Sequence, residues 1–304
     1  VKEERRMRYE DDPTNTMTEQ MMAAAFSAHP YQWPVIGWMA DIGNITRDDL
    51  YRHYRTYYAP NNATIVVVGD FESAKVLPLV EKYFAGIPRG PEVPKVGAVE
   101  PKQLGEKRII VKREAELPAV FAGYKAPTLR SPDSYALNVL QGILSSGKSS
   151  RLYRSLVYEK QIALYAGGDY DDVSTDPNLF TLYAGVMPGK TVEEVEKALY
   201  AEIDRFKGEP VSDEELQQAK NQAEAHFIMS QDSNFYQAML LGQFETVAEW
   251  RALERYLVGI RAVTKDDIQR VAREYFTEDN RTVGILVPVK TQDAETRRHG
   301  DAEK

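Results

Sequence analysis

Ile45–Gly69, ITRDDLYRHYRTYYAPNNATIVVVG, decides the fold, because Val263–Val287, VTKDDIQRVAREYFTEDNRTVGILV, lies along it without a gap at an offset of 218 residues. Identities include Thr46/Thr264, Asp48/Asp266, Asp49/Asp267, Arg52/Arg270, Tyr57/Tyr275, Asn62/Asn280 and Thr64/Thr282. Type is kept at Ile45/Val263, Leu50/Ile268 and Tyr58/Phe276. Each copy carries the same local instructions. A Thr N-cap followed by acidic residues starts a helix, an aromatic pair ends it, an Asn-containing turn follows, and a β-branched run predicts a buried strand. The chain therefore holds a duplicated unit.

Working outward, 304 residues fit about two domains. Hydrophobic residues at 43% and charged residues at 28% describe a globular protein with ample core. A net charge of −8 argues against nucleic acid and against an anionic membrane surface as partners. No apolar run is long enough to span a bilayer. The absence of cysteine excludes disulfides, thiolate metal sites and cysteine nucleophiles, and suits cytoplasm and periplasm equally. The opening residues VKEERRMRYE read as the middle of a helix. The second unit begins near Glu106, so carrying the offset back starts the first unit about a hundred residues before Val1. The first unit is expected to be present only in part.

In chain order, Val1–Glu10 predicts a helix stopped before Pro13, and 16–28 a second one, with Thr16 as cap. A Pro/Trp/Gly-rich loop runs from His29 to Gly43. The first copy's helix (about 47–58), its strand (63–69) and a helix at 72–85 complete residues 1–86. A Pro- and Gly-rich linker spans 87–105. The unit at 106–290 predicts strands at 107–113, 119–125, 163–171 and 179–186, with helices at 132–144, 149–160, 191–207, 212–229, 233–245 and 248–261. The repeated helix and strand end it at Pro288, and 291–304 is a polar tail. The class is α+β, two homologous halves with mixed, largely antiparallel sheets covered by helices.

Candidate chemistry is sparse. Of the four histidines, His53 and His226 read as ordinary helix residues, His299 lies in the tail, and His29, beside Tyr31 and Trp33, is placed to line a cleft. No two of them stand at metal-ligand spacing. Gly142–Ser149 has the letters of a phosphate-binding loop but follows a helix pattern instead of a strand, so it reads as a turn between helices.

Four features together resemble the M16 peptidase family, the pitrilysin, insulinase and mitochondrial-processing-peptidase group. These are the string VKEERRMRYEDDP, the HPY loop with its Ile-Gly and downstream Asp-Ile, the APNNAT strand entry and the Ser-Ser-Arg-Leu-Tyr turn. The likeness covers about 1–288, is closest to short bacterial members, and would explain the duplication. It implies a zinc endopeptidase in which an H-x-x-E-H helix supplies two ligands and the general base. A glutamate from a later helix, in a pattern like E-R-x-V-V-x-x-E, completes the site. Val1-Lys2-Glu3-Glu4 matches the end of that pattern, which makes Glu4 the third ligand. The catalytic residues themselves are expected upstream of Val1.

The offset pairs Glu4 with Gln222, and an amide is a poor zinc ligand, so the second half is expected to be metal-free. Many members carry an Arg and a Tyr in that half, in a pattern like L-R-E-x-x-G-L-A-Y. Here Val157 and Leu164 stand in those places, with Tyr165 one residue off. The resemblance therefore implies a metal-bearing subunit taking peptide substrates. It also implies a homo- or heterodimer with a related subunit that supplies the pair, and it leans towards the bacterial periplasm. The chain alone is expected to be inactive. The alternatives are a non-catalytic scaffold of the same fold, and a small-molecule binder using the His29–Trp38 loop.

Overall fold

The structure is a computed structural model that describes residues 1–289. The polar tail and His299 lie outside the described residues. Among these, α1 (Lys2–Arg5) runs on into a π-helical turn at Arg6–Glu10, followed by α2 (Pro13–Ala25), α3 (Met39–Asn44), α4 (Arg47–Tyr57) and α5 (Ser73–Phe84). After the linker come β1 (Lys107–Arg113), β2 (Ala119–Ala126), α6 (Asp133–Ser145), a π-helical segment (Tyr153–Glu159), β3 (Ala163–Tyr170) and β4 (Asn178–Val186). Next are α7 (Val192–Gly208), α8 (Asp213–Ser230), α9 (Asn234–Val247), α10 (Ala252–Ala262), α11 (Lys265–Tyr275) and β5 (Arg281–Pro288).

The fold is α+β. Its sheet has the strand order β1-β5-β2-β4-β3, with β1 parallel to β5 and the other pairs antiparallel. Period-two alternation divides the sheet between two covers. On β2, Val120, Ala122 and Tyr124 join the cluster built with Leu137 and Leu140 of α6, Leu199 and Phe206 of α7, and Ile268 and Val271 of α11. Ala119 instead joins Val111, Leu179 and Leu286 against Met17, Met21 and Phe26, all but the last on α2. A helix from the first half therefore roofs the second half's sheet. Glycine makes the approach possible: a Cβ at Gly284 would collide with the Met17 sulfur, and one at Gly123 would sit 2.7 Å from Leu179 Cδ1.

Several expectations need correction. Asp12, not Thr16, caps α2: its carboxylate accepts from Thr14 N at 2.8 Å and Asn15 N at 3.0 Å, with Pro13 in the first turn. Thr16 turns its hydroxyl back to the Tyr9 and Asp12 carbonyls. The His29–Gly43 loop contains a 3₁₀ turn (Pro30–Gln32) and ends inside α3. Residues 63–68 form no strand among the described residues. Ala63 is extended (φ −126°, ψ 138°), but a strand exists only where a neighbour completes its ladder.

The duplicated helices share their capping bonds. Thr46–Asp49 and Thr264–Asp267 both form reciprocal capping boxes, with the Asp amide to Thr hydroxyl at 3.2 and 3.1 Å. Asn62 and Asn280 donate to the Tyr57 and Tyr275 carbonyls at 2.8 and 2.7 Å.

Two substitutions test the packing. Gly284→Val should cost about 1 to 3 kcal/mol by overpacking against α2, read as a lower urea midpoint at unchanged slope. Gln161, held at φ +51°, is the non-glycine residue in the left-handed region among the described residues, and Gln161→Gly should stabilise by about 1 kcal/mol.

Candidate functional site

Glu4 lies on α1 with its side chain 45% exposed and one oxygen 3.1 Å from Arg8 Nη2, while Glu3 is 83% exposed and pairs with Arg6. Its neighbour Arg5 is the anchor. Arg5 is buried and donates to Glu19 through both terminal nitrogens, at 2.8 and 3.1 Å, and to the Gly37 carbonyl at 2.8 Å. The guanidinium also stacks near the rings of Tyr9 and Trp38, at 5.3 and 5.5 Å. The hydrogen bonds to Glu19 hold the Arg5 guanidinium pKa above its usual value. The two-point contact fixes the roll of α1 against α2, and so the direction in which Glu4 projects.

The loop after α2 is fixed from the linker. Glu100 accepts from the backbone N–H groups of Ser27, Ala28 and His29 at 2.8 to 3.0 Å, and from Lys125 Nζ at 3.0 Å. Burial pushes its carboxyl up, but those amides and the lysine bring it down to about 2. His29 is buried, not open to a cleft. Its Nδ1 accepts from Tyr31 N at 3.3 Å, its Nε2 lies 3.3 Å from Asp176, and Asp176 N donates to the Tyr31 hydroxyl at 3.3 Å. His29 is a joint between the first half's loop and the β3–β4 connection.

In the second half Gln222, the counterpart of Glu4, faces a cavity of about 950 Å³ between α6, α8, α9 and α10. Asn138, Gln141 and Gly142 of α6 line the same cavity. They stand at i, i+3, i+4 on one helix face, and amides and a glycine at that spacing supply neither imidazole nor carboxylate to a metal. Sequence reasoning passed over this run because amides form no motif; only its spacing, set beside Gln222, was there to find. Asp172 closes the cavity floor, accepting from Asn138 Nδ2 at 2.9 Å, and burial raises its pKa to about 6 despite that bond.

Of the expected Arg/Tyr places, Val157 packs against the core, and Leu164 falls in the register shift between Ala163 and Tyr165. Tyr165 lies half exposed against Gly185. Gly142–Ser149 is indeed a turn between helices, with Gly147 at φ +75° and Ser149 accepting from Gln218. Among the described residues no group of three or more His, Asp or Glu side chains could hold a metal. Glu4 offers one suitable oxygen donor, and the described residues do not complete a site around it.

The fold and site define an α+β protein with an internal duplication, carrying a carboxylate in one helix and an amide in its counterpart. Residues 44–223 match the family described as Peptidase M16 inactive domain. The chain belongs to the M16 peptidase family. It is 32% identical over 291 residues to Zinc protease PqqE of Helicobacter pylori, an alignment covering 95% of this chain and 65% of that protein. The chain thus spans about two thirds of that relative's length. The crystal structure of a protease from Helicobacter pylori superposes with a TM-score of 0.90 at 32% identity, covering 94% of this chain and 70% of that one. A peptidase M16 inactive domain from Pseudomonas fluorescens shares the fold, with a TM-score of 0.81 at 17% identity over 92% of this chain and 67% of that one.

Asp172 generates a pH prediction. Its folded pKa is about 6 against an ordinary value near 4, so the folded state binds the proton more tightly than the unfolded chain. Its contribution is therefore favourable at low pH and is lost as pH rises through about 4 to 6. That is a cost on the order of 2 to 3 kcal/mol at neutral pH. Asp172→Asn should raise stability at pH 7, and its advantage should shrink as urea unfolding is repeated down to pH 4.5.

Proposed function

We propose that the chain is part of a zinc endopeptidase in which Glu4 is one metal ligand and residues 106–290 form a metal-free half that encloses substrate. The observation that carries this reading is the contrast between the two copies. Glu4 projects from a helix locked by Arg5, while Gln222 faces a largely apolar cavity that it shares with Asn138 and Gln141. Bound zinc would polarise a water for attack on a peptide carbonyl. The imidazoles and the base for that water are assigned to polypeptide beyond these 304 residues.

Within this chain, Arg5 and Glu19 orient the ligand, and the Glu100 clamp holds the first half's loop on the second half. Extended peptides would add as a strand to a sheet edge. Val157 and Leu164 support a related partner subunit that supplies an Arg/Tyr pair. A second reading, a non-catalytic scaffold or partner subunit, is favoured by the match to a domain described as inactive.

The test is zinc competition against a chromophoric chelator. The 304-residue chain should bind zinc no more tightly than about 0.1 mM, because a lone carboxylate makes no site. The whole gene product should bind one zinc tightly and lose it in Glu4→Gln. Tight stoichiometric binding by the 304 residues alone would overturn the Glu4 assignment, and a metal-free whole product would establish the scaffold.

A further inference from the structure

Asp172 is a carboxylate that the zinc reading leaves without a task. It follows β3 directly, is 8% exposed, and forms no ion pair among the described residues. The Asn138 amide donates to its Oδ2 at 2.9 Å, which satisfies a lone pair and leaves the charge uncompensated. Asp172 lines the cavity of about 950 Å³ between α6, α8, α9 and α10, and no lysine or arginine stands among the described residues of that wall. Burial with no cation raises its pKa to about 6, the mark of a group held for a partner.

The rest of the wall selects the ligand. Phe227, Met239, Leu240, Phe244 and Tyr256 make it largely apolar, and the Phe227 and Tyr256 rings stack with centroids 5.2 Å apart. Aromatic faces attract cations. The amide nitrogens of Asn138 and Gln141 are already engaged, with Asp172 and with Ser145 and the Gly168 carbonyl. Neither side-chain oxygen accepts a bond among the described residues, so both remain free for a donor. An anion would be repelled by Asp172, and a divalent metal would meet one carboxylate among amides. An organic cation with an apolar body satisfies the charge, the acceptors and the surface together, in a cavity of the size that takes small organic ligands.

We infer that this cavity binds a primary ammonium group carried on an apolar body, with Asp172 as counter-ion and the Asn138 and Gln141 oxygens as acceptors. A free amine and the lysine side chain of a peptide share that chemistry. Every residue of the wall lies within 138–256, in the half read as metal-free, so the inference stands apart from the Glu4 assignment.

The probe is 4-phenylbutylammonium, with 4-phenylbutan-1-ol as its neutral isostere, titrated into the 304-residue chain and followed by amide NMR. The amine should bind at one site, shift amides of α6, α8 and α10, and bind roughly tenfold or more tighter than the alcohol. Asp172→Asn, a variant expected to be at least as stable, should erase that preference by weakening the amine alone. Leu240→Trp, which fills the cavity, should weaken both ligands.

The titratable groups facing Asp172 are Asp171 and Tyr170 beside it and Tyr256 on α10, and the cavity adds His226 on α8 and Tyr236 on α9. The amine stays charged near neutrality. Its affinity should therefore rise between about pH 5 and 7.5 as the Asp172 carboxyl ionises, and the profile should flatten in Asp172→Asn. Acetyl-Phe-Lys-Phe-amide and its norleucine version separate the sources. Tighter binding of the lysine peptide than of the amine assigns a lysine side chain, and the reverse assigns a free amine. Equal affinity for amine and alcohol, or unchanged amine binding in Asp172→Asn, would overturn the inference. So would a pH profile that survives Asp172→Asn and vanishes in His226→Gln.

Discussion

The architecture depends on a sheet that must be covered on both faces. β2 reads AVFAGYKA, apolar on both sides of the pleat, and a strand of that kind is unstable with one face in water. The polypeptide of residues 106–288 supplies one cover through α6, α7 and α11. The other is α2, from the far side of the linker, with Met17, Met21, Ala25 and Phe26 buried to 1% or less. Methionine suits that task, because an unbranched thioether adapts to the shallow groove above Gly123 and Gly284.

Everything known about the position of Glu4 follows from that cover. Once α2 is seated, Lys107 of β1 caps its last turn by donating to the Ala24 carbonyl at 2.8 Å, and Glu100 gathers the three amides that follow. α2 then presents Glu19, and Glu19 holds Arg5. A buried ion pair of this kind adds little net stability compared with an apolar pair, yet leaving one partner alone costs about 3 to 5 kcal/mol. What the pair supplies is direction: a bidentate fork accepts one roll of α1 and rejects others. The orientation of the candidate ligand is thus inherited through a helix, an ion pair and a sheet whose strands lie a hundred residues away.

The elements beyond Glu106 were legible because sheet burial and amphipathic helices leave clear periodicities, and their ends fall within a few residues of expectation, although α10 starts four residues late. Signals that act through distant partners were not. Asp12-Pro13 reads as a stop for one helix, and only the structure shows the same carboxylate starting the next. His29 looked available because its neighbours are aromatic, whereas its burial is imposed by Glu100, 71 residues on, and by Asp176. The run at 63–68 has every residue preference of a strand and lacks a ladder. Propensity describes what a segment suits, and pairing decides what it becomes. The grouping of Asn138, Gln141 and Gln222 on one cavity was not legible because neutral amides form no motif and lie on two separate helices.

The two copies separate local causes from global ones. Capping boxes and the Asn–Tyr bond recur with distances alike to 0.1 Å although one helix is sealed and the other open, so burial does not set their geometry. Burial decides instead which divergence is tolerated. Where the second copy is packed, Val271 and Ala272 stand opposite His53 and Tyr54, because a polar ring in that core would need a partner that the packing does not offer. At the Glu4/Gln222 pair the exchange runs from charged to neutral at nearly constant shape. An amide removes the charge a divalent ion requires and keeps a polar head of nearly the same shape. The charge at this pair can therefore change while the fold, set by other residues, stays where it was.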